Sequence, residues 1–151
     1  MPDLIIERLD PSLPMPKYAK EGDAGFDLCY YAADMGRADF RTGDLSVGPH
    51  QMVKIHTGIR AQIPEGYEVQ IRPRSGKTGE GLVAQFGTVD AGYRGWWYVN
   101  LLNTSGSNIF VYNFDRIAQA VLAPVTRASI VEGVVSVDTE RGEGGFGSTG
   151  R

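Results

Sequence analysis

The chain has 151 residues, 42% hydrophobic and 22% charged, a composition typical of one ordinary globular domain. Its formal net charge of −3 argues against a basic surface, so we expect no nucleic-acid partner. Cys29 is the only cysteine, which excludes a disulfide framework. With only two histidines beside it, the sequence also argues against a zinc site. No apolar run is long enough to span a membrane and the first residues lack signal-peptide features, so we expect a protein of the cytoplasm, or of the host-cell cytoplasm if the source is viral.

The segments between the turns favour β-structure over helix. Residues 10–17 contain three prolines and predict an irregular, extended lead-in. Apolar residues then alternate through 53–63 and again through 67–71, which predicts two strands joined by a tight turn at residues 64–66. Further strands are predicted within 96–103, 108–114, 117–125 and 129–137. With 20 glycines and no sustained helical period, the sequence predicts an all-β sandwich or jelly-roll with little helix.

Two further features concern the surface of this domain. Trp96 and Trp97 are adjacent, so on a strand their rings face opposite sides. We expect one ring in the core and the other covered by a partner or by another part of the chain. Residues 1–140 are predicted to form the β domain, whereas the glycine-rich residues 141–151 bury little and are predicted to be a flexible arm. Such an arm is typical of a linker or tag-like end, or of a lid that closes over a ligand.

Five short motifs carry the candidate chemistry: DAGFDL at 23–28, PRSG at 73–76, GTVDAGYRG at 87–95, DRIAQ at 115–119 and RGEGGFGSTG at 141–150. In the second motif, Arg74 offers a forked cation, while Ser75 and Gly76 offer a hydroxyl and accessible backbone N–H groups, which suit phosphate oxygens. In the third, Asp90 offers a carboxylate, which accepts hydrogen bonds and could orient an attacking water. Each motif by itself also has an ordinary interpretation as a surface turn or a core strand.

Taken together and in this order, the motifs resemble those of the trimeric dUTPase family. The resemblance implies hydrolysis of dUTP to dUMP and pyrophosphate with Mg²⁺, by attack of a water activated by Asp90 on the α-phosphorus. It also implies a homotrimer with shared active sites. This activity would keep uracil out of DNA and supply dUMP for dTMP synthesis.

The resemblance also assigns roles to individual positions. Asp27 would bind the Mg²⁺ shell through water, and Asp90 would be catalytic. The expected substrate-binding residues are Arg74, Ser75, Gly76, Gly87, Tyr93, Gln119, Arg141, Phe146, Gly147 and Ser148. Among them, Tyr93 would pack on the deoxyribose, Phe146 would stack on the base and Arg141 would meet the terminal phosphate. Asp115 and Arg116 are either a surface pair or a support for the neighbouring motifs.

Four positions depart from the family pattern or separate it from a relative. The family often has Asn where this chain has Ala84, so either Gln85 reads uracil or the main chain reads it alone. Lys77 and Thr78 replace the usual Leu-Ala after the second motif. The related dCTP deaminases carry a catalytic Glu where this chain has Asn100, which disfavours deamination. A regulatory binding protein of the same fold is the third alternative.

Overall fold

The computed structural model describes residues 1–32 and 44–144. Within these residues the chain forms eleven strands and one short helix. In chain order they are β1 (Ile5–Arg8), β2 (Phe26–Cys29), β3 (Leu45–Val47), β4 (Met52–His56), β5 (Ile59–Gln62), β6 (Tyr67–Arg72), α1 (Ser75–Gly79), β7 (Leu82–Ala84), β8 (Gly87–Asp90), β9 (Tyr98–Asn103), β10 (Ile109–Val111) and β11 (Arg116–Pro124). The predicted all-β fold with little helix is confirmed.

The strands form four antiparallel sheets around one core. The largest sheet has the order β2-β11-β6-β8, a second has the order β4-β9-β7, and two further sheets pair β1 with β5 and β3 with β10. The buried cluster takes side chains from all four, for example Val69, Leu101, Ile59 and Val111, each exposed by no more than 2%. This shared apolar interior holds the sheets together through the burial of side chains that alternate along each strand.

The alternating run at 53–63 is two strands rather than one. It breaks at Gly58, whose φ of +72° lies in the left-handed region. A Cβ at Gly58 would lie 2.8 Å from a methyl carbon of Leu13 and 2.9 Å from the ring of Tyr31, so only glycine fits there. The predicted tight turn at 64–66 is present, with Tyr67 N donating to Pro64 O at 3.2 Å, and it joins β5 to β6. These two strands do not pair with each other: β5 pairs with β1, and β6 pairs with β8 and β11.

The predicted strand at 129–137 was also wrong. Residues 125–138 carry no secondary structure, and Ile130, Val131, Val134 and Val135 are 79% to 103% exposed. Their β-branched side chains favour extended backbone, but a strand also needs a hydrogen-bonded partner, and this segment pairs with no described strand.

The two adjacent tryptophans divide as predicted. Trp97 is 1% exposed and belongs to the core. Trp96 is half-buried, and the guanidinium carbon of Arg60 lies 4.8 Å from the centre of its ring. The Trp96 ring is therefore covered by the Arg60 side chain of the same chain.

Candidate functional site

Five predicted site residues line one cleft, which we call the polar cleft. Register places Asp27 of β2 directly opposite Gln119 of β11, and the segment after β6 brings the PRSG turn beside them. The cleft is open to solvent and has a cavity volume of about 320 Å³, within the range of small-molecule sites. Its lining residues are Lys17, Ala19, Asp23, Ala24, Gly25, Asp27, Arg74, Ser75, Gly76, Arg116 and Gln119.

Two arginines hold the carboxylate of Asp27. Arg74 Nε lies 2.7 Å from Asp27 Oδ1, and Arg116 Nη1 lies 3.3 Å from Oδ2. Arg74 also donates from Nη1 to the backbone oxygen of Arg116 at 3.1 Å. Asp27 and Arg74 are each more than two-thirds buried, which fixes this pair more firmly than the exposed Arg116. Arg116 therefore contacts Asp27 of the DAGFDL motif. Asp115 Oδ2 accepts from Tyr112 N at 3.0 Å, so Asp115 and Arg116 do not pair with each other.

Gln119 is oriented by contacts on both sides of its amide. Its Nε2 donates to the backbone oxygen of Pro73 at 2.8 Å, which ties β11 to the PRSG turn. A Cβ at Gly25 would lie 3.0 Å from the backbone oxygen of Ala120 and 3.2 Å from Gln119 Oε1. Glycine at position 25 therefore lets β2 approach closely, and Oε1 stays available as an acceptor at the cleft.

The PRSG turn leads directly into α1. Arg74 is the extended residue before the helix, and Thr78 N donates to Arg74 O at 3.0 Å. The N–H groups of Ser75 and Gly76 precede that first helical hydrogen bond, so they have no partner within the helix. Both residues line the polar cleft, and backbone N–H groups of this kind can bind an anion.

Three other predicted residues line a second cleft, which we call the aromatic cleft. Gly87 and Asp90 begin and end β8, and Tyr93 follows in the adjoining turn. The cleft has a cavity volume of about 310 Å³ and is lined by Lys54, Ile71, Gly87, Thr88, Val89, Asp90, Tyr93, Trp96, Trp97 and Tyr98. It shares no lining residue with the polar cleft.

The turn after β8 fixes Tyr93 beside Asp90. Tyr93 N donates to Asp90 O at 3.0 Å, and its hydroxyl donates to Trp96 O at 3.1 Å. A Cβ at Gly95 would collide with the hydroxyl end of the Tyr93 ring, so only glycine lets the ring approach this closely. At Gly87, by contrast, an added Cβ would meet only Ile71 at 3.7 Å. The Asp90 carboxylate is exposed, and so is the outer part of the Tyr93 ring.

A buried histidine supports the aromatic cleft from behind. The His56 ring centre lies 4.8 Å from that of Tyr98 and 5.8 Å from that of Trp96. Its Nδ1 accepts a hydrogen bond from Gly58 N at 2.6 Å, which requires that this nitrogen carry no proton. Burial lowers the pKa of His56, because the charged imidazolium loses its hydration there.

Neither Ala84 nor its neighbour Gln85 lines the aromatic cleft. Ala84 is 1% exposed and faces the core. Gln85 N donates to Asn100 O at 2.8 Å, and Gln85 Oε1 accepts from Asn100 Nδ2 at 3.0 Å. Gln85 does not line the aromatic cleft, so the structure gives its amide a partner on β9 rather than a place beside Asp90.

The remaining predicted residues lie away from both clefts or outside the described residues. Arg141 is exposed and its Nε donates to Gly144 O at 2.9 Å. Phe146, Gly147 and Ser148 fall outside the described residues. Sequence reasoning gave no role to Lys17 in the polar cleft or to Lys54 and Tyr98 in the aromatic cleft. Lys17 is a single lysine in a proline-rich lead-in and belongs to no motif. Lys54 and Tyr98 lie within predicted strands, and nothing in the sequence distinguishes them from other strand residues.

The sequence model of the dUTPase family matches residues 12–150. The chain belongs to the dUTPase family. It is 44% identical over 149 residues to the deoxyuridine 5′-triphosphate nucleotidohydrolase of Thermobifida fusca, an alignment that covers 96% of this chain and 77% of that protein. The same enzyme of Clostridium kluyveri is 39% identical over 151 residues, with 98% of each chain covered.

Solved dUTPases have the same fold. A glycine-to-serine variant of the Staphylococcus bacteriophage 80alpha dUTPase, solved with dUpNHpp, is similar over 100% of both chains with a TM-score of 0.80 and 26% identity. This dUTPase is therefore an enzyme of dUTP hydrolysis, as the motifs predicted. In the described part of the chain, no helix has the length and apolar character needed to cross a membrane.

Proposed function

We propose that this dUTPase cleaves dUTP at the α-phosphorus with a water held by Asp90, giving dUMP and pyrophosphate. The observation that carries the proposal is that eight predicted residues divide between the two clefts according to chemistry. Asp90, Tyr93 and Gly87 line the aromatic cleft, which would take the nucleoside, while Arg74, the PRSG turn, Asp27 and Gln119 line the polar cleft, which would take the polyphosphate.

Asp90 is suited to orienting and deprotonating water. It ends β8 with its carboxylate exposed, beside the Tyr93 ring on which the deoxyribose would pack. The hydroxyl of Tyr93 donates to Trp96 O, which holds the ring in place, and a ring held there would exclude a ribose 2′-hydroxyl. Since Gln85 is bound to Asn100, we further propose that the main chain near Gly87 reads the uracil edge.

The polar cleft supplies groups that bind the phosphates. Arg74 and the donors of Ser75 and Gly76 would bind oxygens of the α- and β-phosphates. A forked guanidinium and oriented N–H groups stabilise negative charge on a reacting phosphate without large rearrangement. Part of the Arg74 contact with Asp27 would be exchanged for a contact with phosphate when the nucleotide enters.

The residues of this cleft fit a hydrated Mg²⁺ ion. In the described ranges, no three His, Cys, Asp or Glu side chains lie together as a cage for a bare cation. Magnesium keeps several of its waters and takes its other ligands from substrate phosphates, so Asp27 and Gln119 Oε1 would hold it through water. When bound, it would neutralise charge on the phosphates during cleavage.

We propose that the working enzyme is a homotrimer whose active sites are shared between subunits. Two features support this assembly. Asp27 and Gln119 of the polar cleft lie on β2 and β11, whereas Asp90 of the aromatic cleft lies on β8 at the far edge of the same sheet, so a nucleotide that needs both clefts would take them from neighbouring copies. The apolar side chains of Ile130, Val131, Val134 and Val135 are almost fully exposed, and a second copy would cover them.

The C-terminal arm, residues 141–151, would then close over a site built by other subunits. Arg141 would bind the terminal phosphate, Phe146 would stack over the base, and Gly147 and Ser148 would add phosphate contacts. Such closure excludes bulk water from the reacting phosphate while its glycines allow reopening for product release. In the cell, this cytoplasmic activity would keep uracil out of DNA and supply dUMP for dTMP synthesis.

The reaction is tested by incubating the protein with Mg²⁺ and each deoxynucleoside triphosphate in turn, while pyrophosphate and ammonia are measured. We expect pyrophosphate from dUTP and little from the others. Ammonia from dCTP would instead establish a deaminase, which Asn100 disfavours because its amide cannot act as a base. Tight dUTP binding without turnover would establish a purely regulatory protein.

Shared sites are tested by complementation. Asp90→Asn and Arg74→Gln are each expected to be inactive as pure proteins. If one site takes Asp90 and Arg74 from different subunits, co-expression of the two variants restores a fraction of wild-type turnover. If both residues serve one site from the same chain, the mixture stays inactive. Light scattering of the wild type checks for three times the 16.4 kDa chain mass.

A further inference from the structure

A lysine outside all five motifs lies in the polar cleft. Lys17 belongs to the proline-rich lead-in before β2, and it lines the cleft together with Arg74, Ser75 and Gln119. Its side chain also borders an adjoining apolar cavity, whose lining includes Leu13 and Pro16. The sequence assigned the lead-in no chemistry, so this placement comes from the fold alone.

The lead-in is anchored, which makes the position of Lys17 a property of the folded domain. Leu13 is 1% exposed, and its backbone oxygen accepts a hydrogen bond from Arg8 Nη1 at 2.6 Å. Leu13 N donates to Asp10 O at 3.1 Å, and Asp10 Oδ2 accepts from the Tyr31 hydroxyl at 2.9 Å. Lys17 follows Leu13 by four residues, so the buried Leu13 limits where the backbone at Lys17 can lie relative to the cleft.

Among the described residues, the carboxylates of the cleft make their contacts with groups other than the Lys17 ammonium. Arg74 and Arg116 both pair with Asp27, and Asp23 Oδ2 accepts the backbone N–H of Lys20 at 2.8 Å. Among residues 1–32 and 44–144, the Lys17 ammonium makes no ion pair within 4.0 Å and no hydrogen bond. It is therefore a cation that an anionic ligand can bind without first breaking a contact seen between these residues.

We propose that Lys17 is a further substrate-binding residue, which donates to phosphate oxygens of dUTP in the polar cleft. This inference rests on the proposed placement of the polyphosphate in that cleft. A triphosphate has more charged oxygens than Arg74 and the PRSG donors can satisfy, and an ammonium with three donors suits the rest. To bind a phosphate, Arg74 must give up part of its contact with Asp27, whereas the Lys17 ammonium has no such ion pair to give up in the part of the chain that the structure describes.

The test compares Lys17→Met with Lys20→Met. Lys20 lies three residues further along the chain and does not line the cleft, so the second variant is a matched control that removes the same charge. Affinities are measured in the full-length protein for dUpNHpp, in which an imido nitrogen replaces the α–β bridging oxygen, and for deoxyuridine, which has no phosphate. We expect Lys17→Met to weaken dUpNHpp binding about fivefold to tenfold and to leave deoxyuridine binding unchanged. Lys20→Met changes neither, and Lys17→Arg restores most of the dUpNHpp affinity.

Two results overturn the assignment. Equal dUpNHpp affinities for Lys17→Met and Lys20→Met would remove Lys17 from the site, and equal losses for dUpNHpp and deoxyuridine would show a general structural effect. Arg74→Met separates this failure from a failure of the proposed function. If Arg74→Met weakens dUpNHpp binding and Lys17→Met does not, only Lys17 is misassigned. If neither does, the polyphosphate does not lie in the polar cleft.

Discussion

The ion pair between Asp27 and Arg74 gives a prediction that separates phosphate binding from metal binding. In Asp27→Asn the carboxylate that holds Arg74 at 2.7 Å is replaced by a neutral amide. Because Arg74 and Asp27 keep 26% and 29% of their side-chain surface exposed, solvent screens the pair and its net worth is about 1 kcal/mol. The contact with Arg116 is at 3.3 Å and on a 60% exposed side chain, so it adds little.

Freeing Arg74 should therefore tighten dUpNHpp binding about fivefold when metal is removed by EDTA. With saturating Mg²⁺ the same variant should lose the water-mediated contact to the ion, and turnover of dUTP should fall about 10- to 100-fold. Calorimetry with and without Mg²⁺ measures the first effect, and pyrophosphate release measures the second. Asp23→Asn, which alters the other carboxylate of this cleft, shows whether the metal effect belongs to Asp27. An unchanged Mg²⁺ dependence in Asp27→Asn would refute the assignment.

Two further predictions concern the arm and a buried histidine. Deleting residues 141–151 should lower kcat/KM for dUTP about 100-fold while Tm stays within about 2 °C, since residues 141–144 make no core contact; a large fall in Tm would show that the arm is structural. Burial lowers the pKa of His56, so the folded protein resists its protonation and stability should decline as pH falls below 6.5. Denaturant unfolding between pH ~8 and ~5 should show a shallower decline for His56→Asn, whose amide can still accept from Gly58 N. Identical pH profiles would contradict this role.

The sequence predicted the class of fold because alternation and glycine spacing are local signals. It did not predict where the 53–63 run breaks, because that break depends on Leu13 and Tyr31 packing against Gly58. Nor could it exclude a strand at 129–137, since β-branched composition says nothing about whether a partner strand is present. Both errors arise where a distant contact decides the local structure.

The motifs located most of the candidate site for a different reason. They mark positions where side-chain chemistry is specific, such as the carboxylates of Asp27 and Asp90. Their division into two clefts depends on strand order, which brings β2 beside β11 and β8 to the far edge of the same sheet. Lys17 had no recognisable pattern because its proximity to Arg74 comes entirely from the path of the lead-in.

The central claim is that Asp90 activates the attacking water, and Asp90→Asn tests it most directly. The amide keeps the shape of the side chain but cannot take a proton, so kcat for dUTP should fall about 1,000-fold. The dissociation constant of dUpNHpp, measured in parallel, should change by less than about threefold, because Asp90 makes little contribution to holding the ground state. Turnover near the wild-type rate, or a loss of affinity as large as the loss of turnover, would contradict the account.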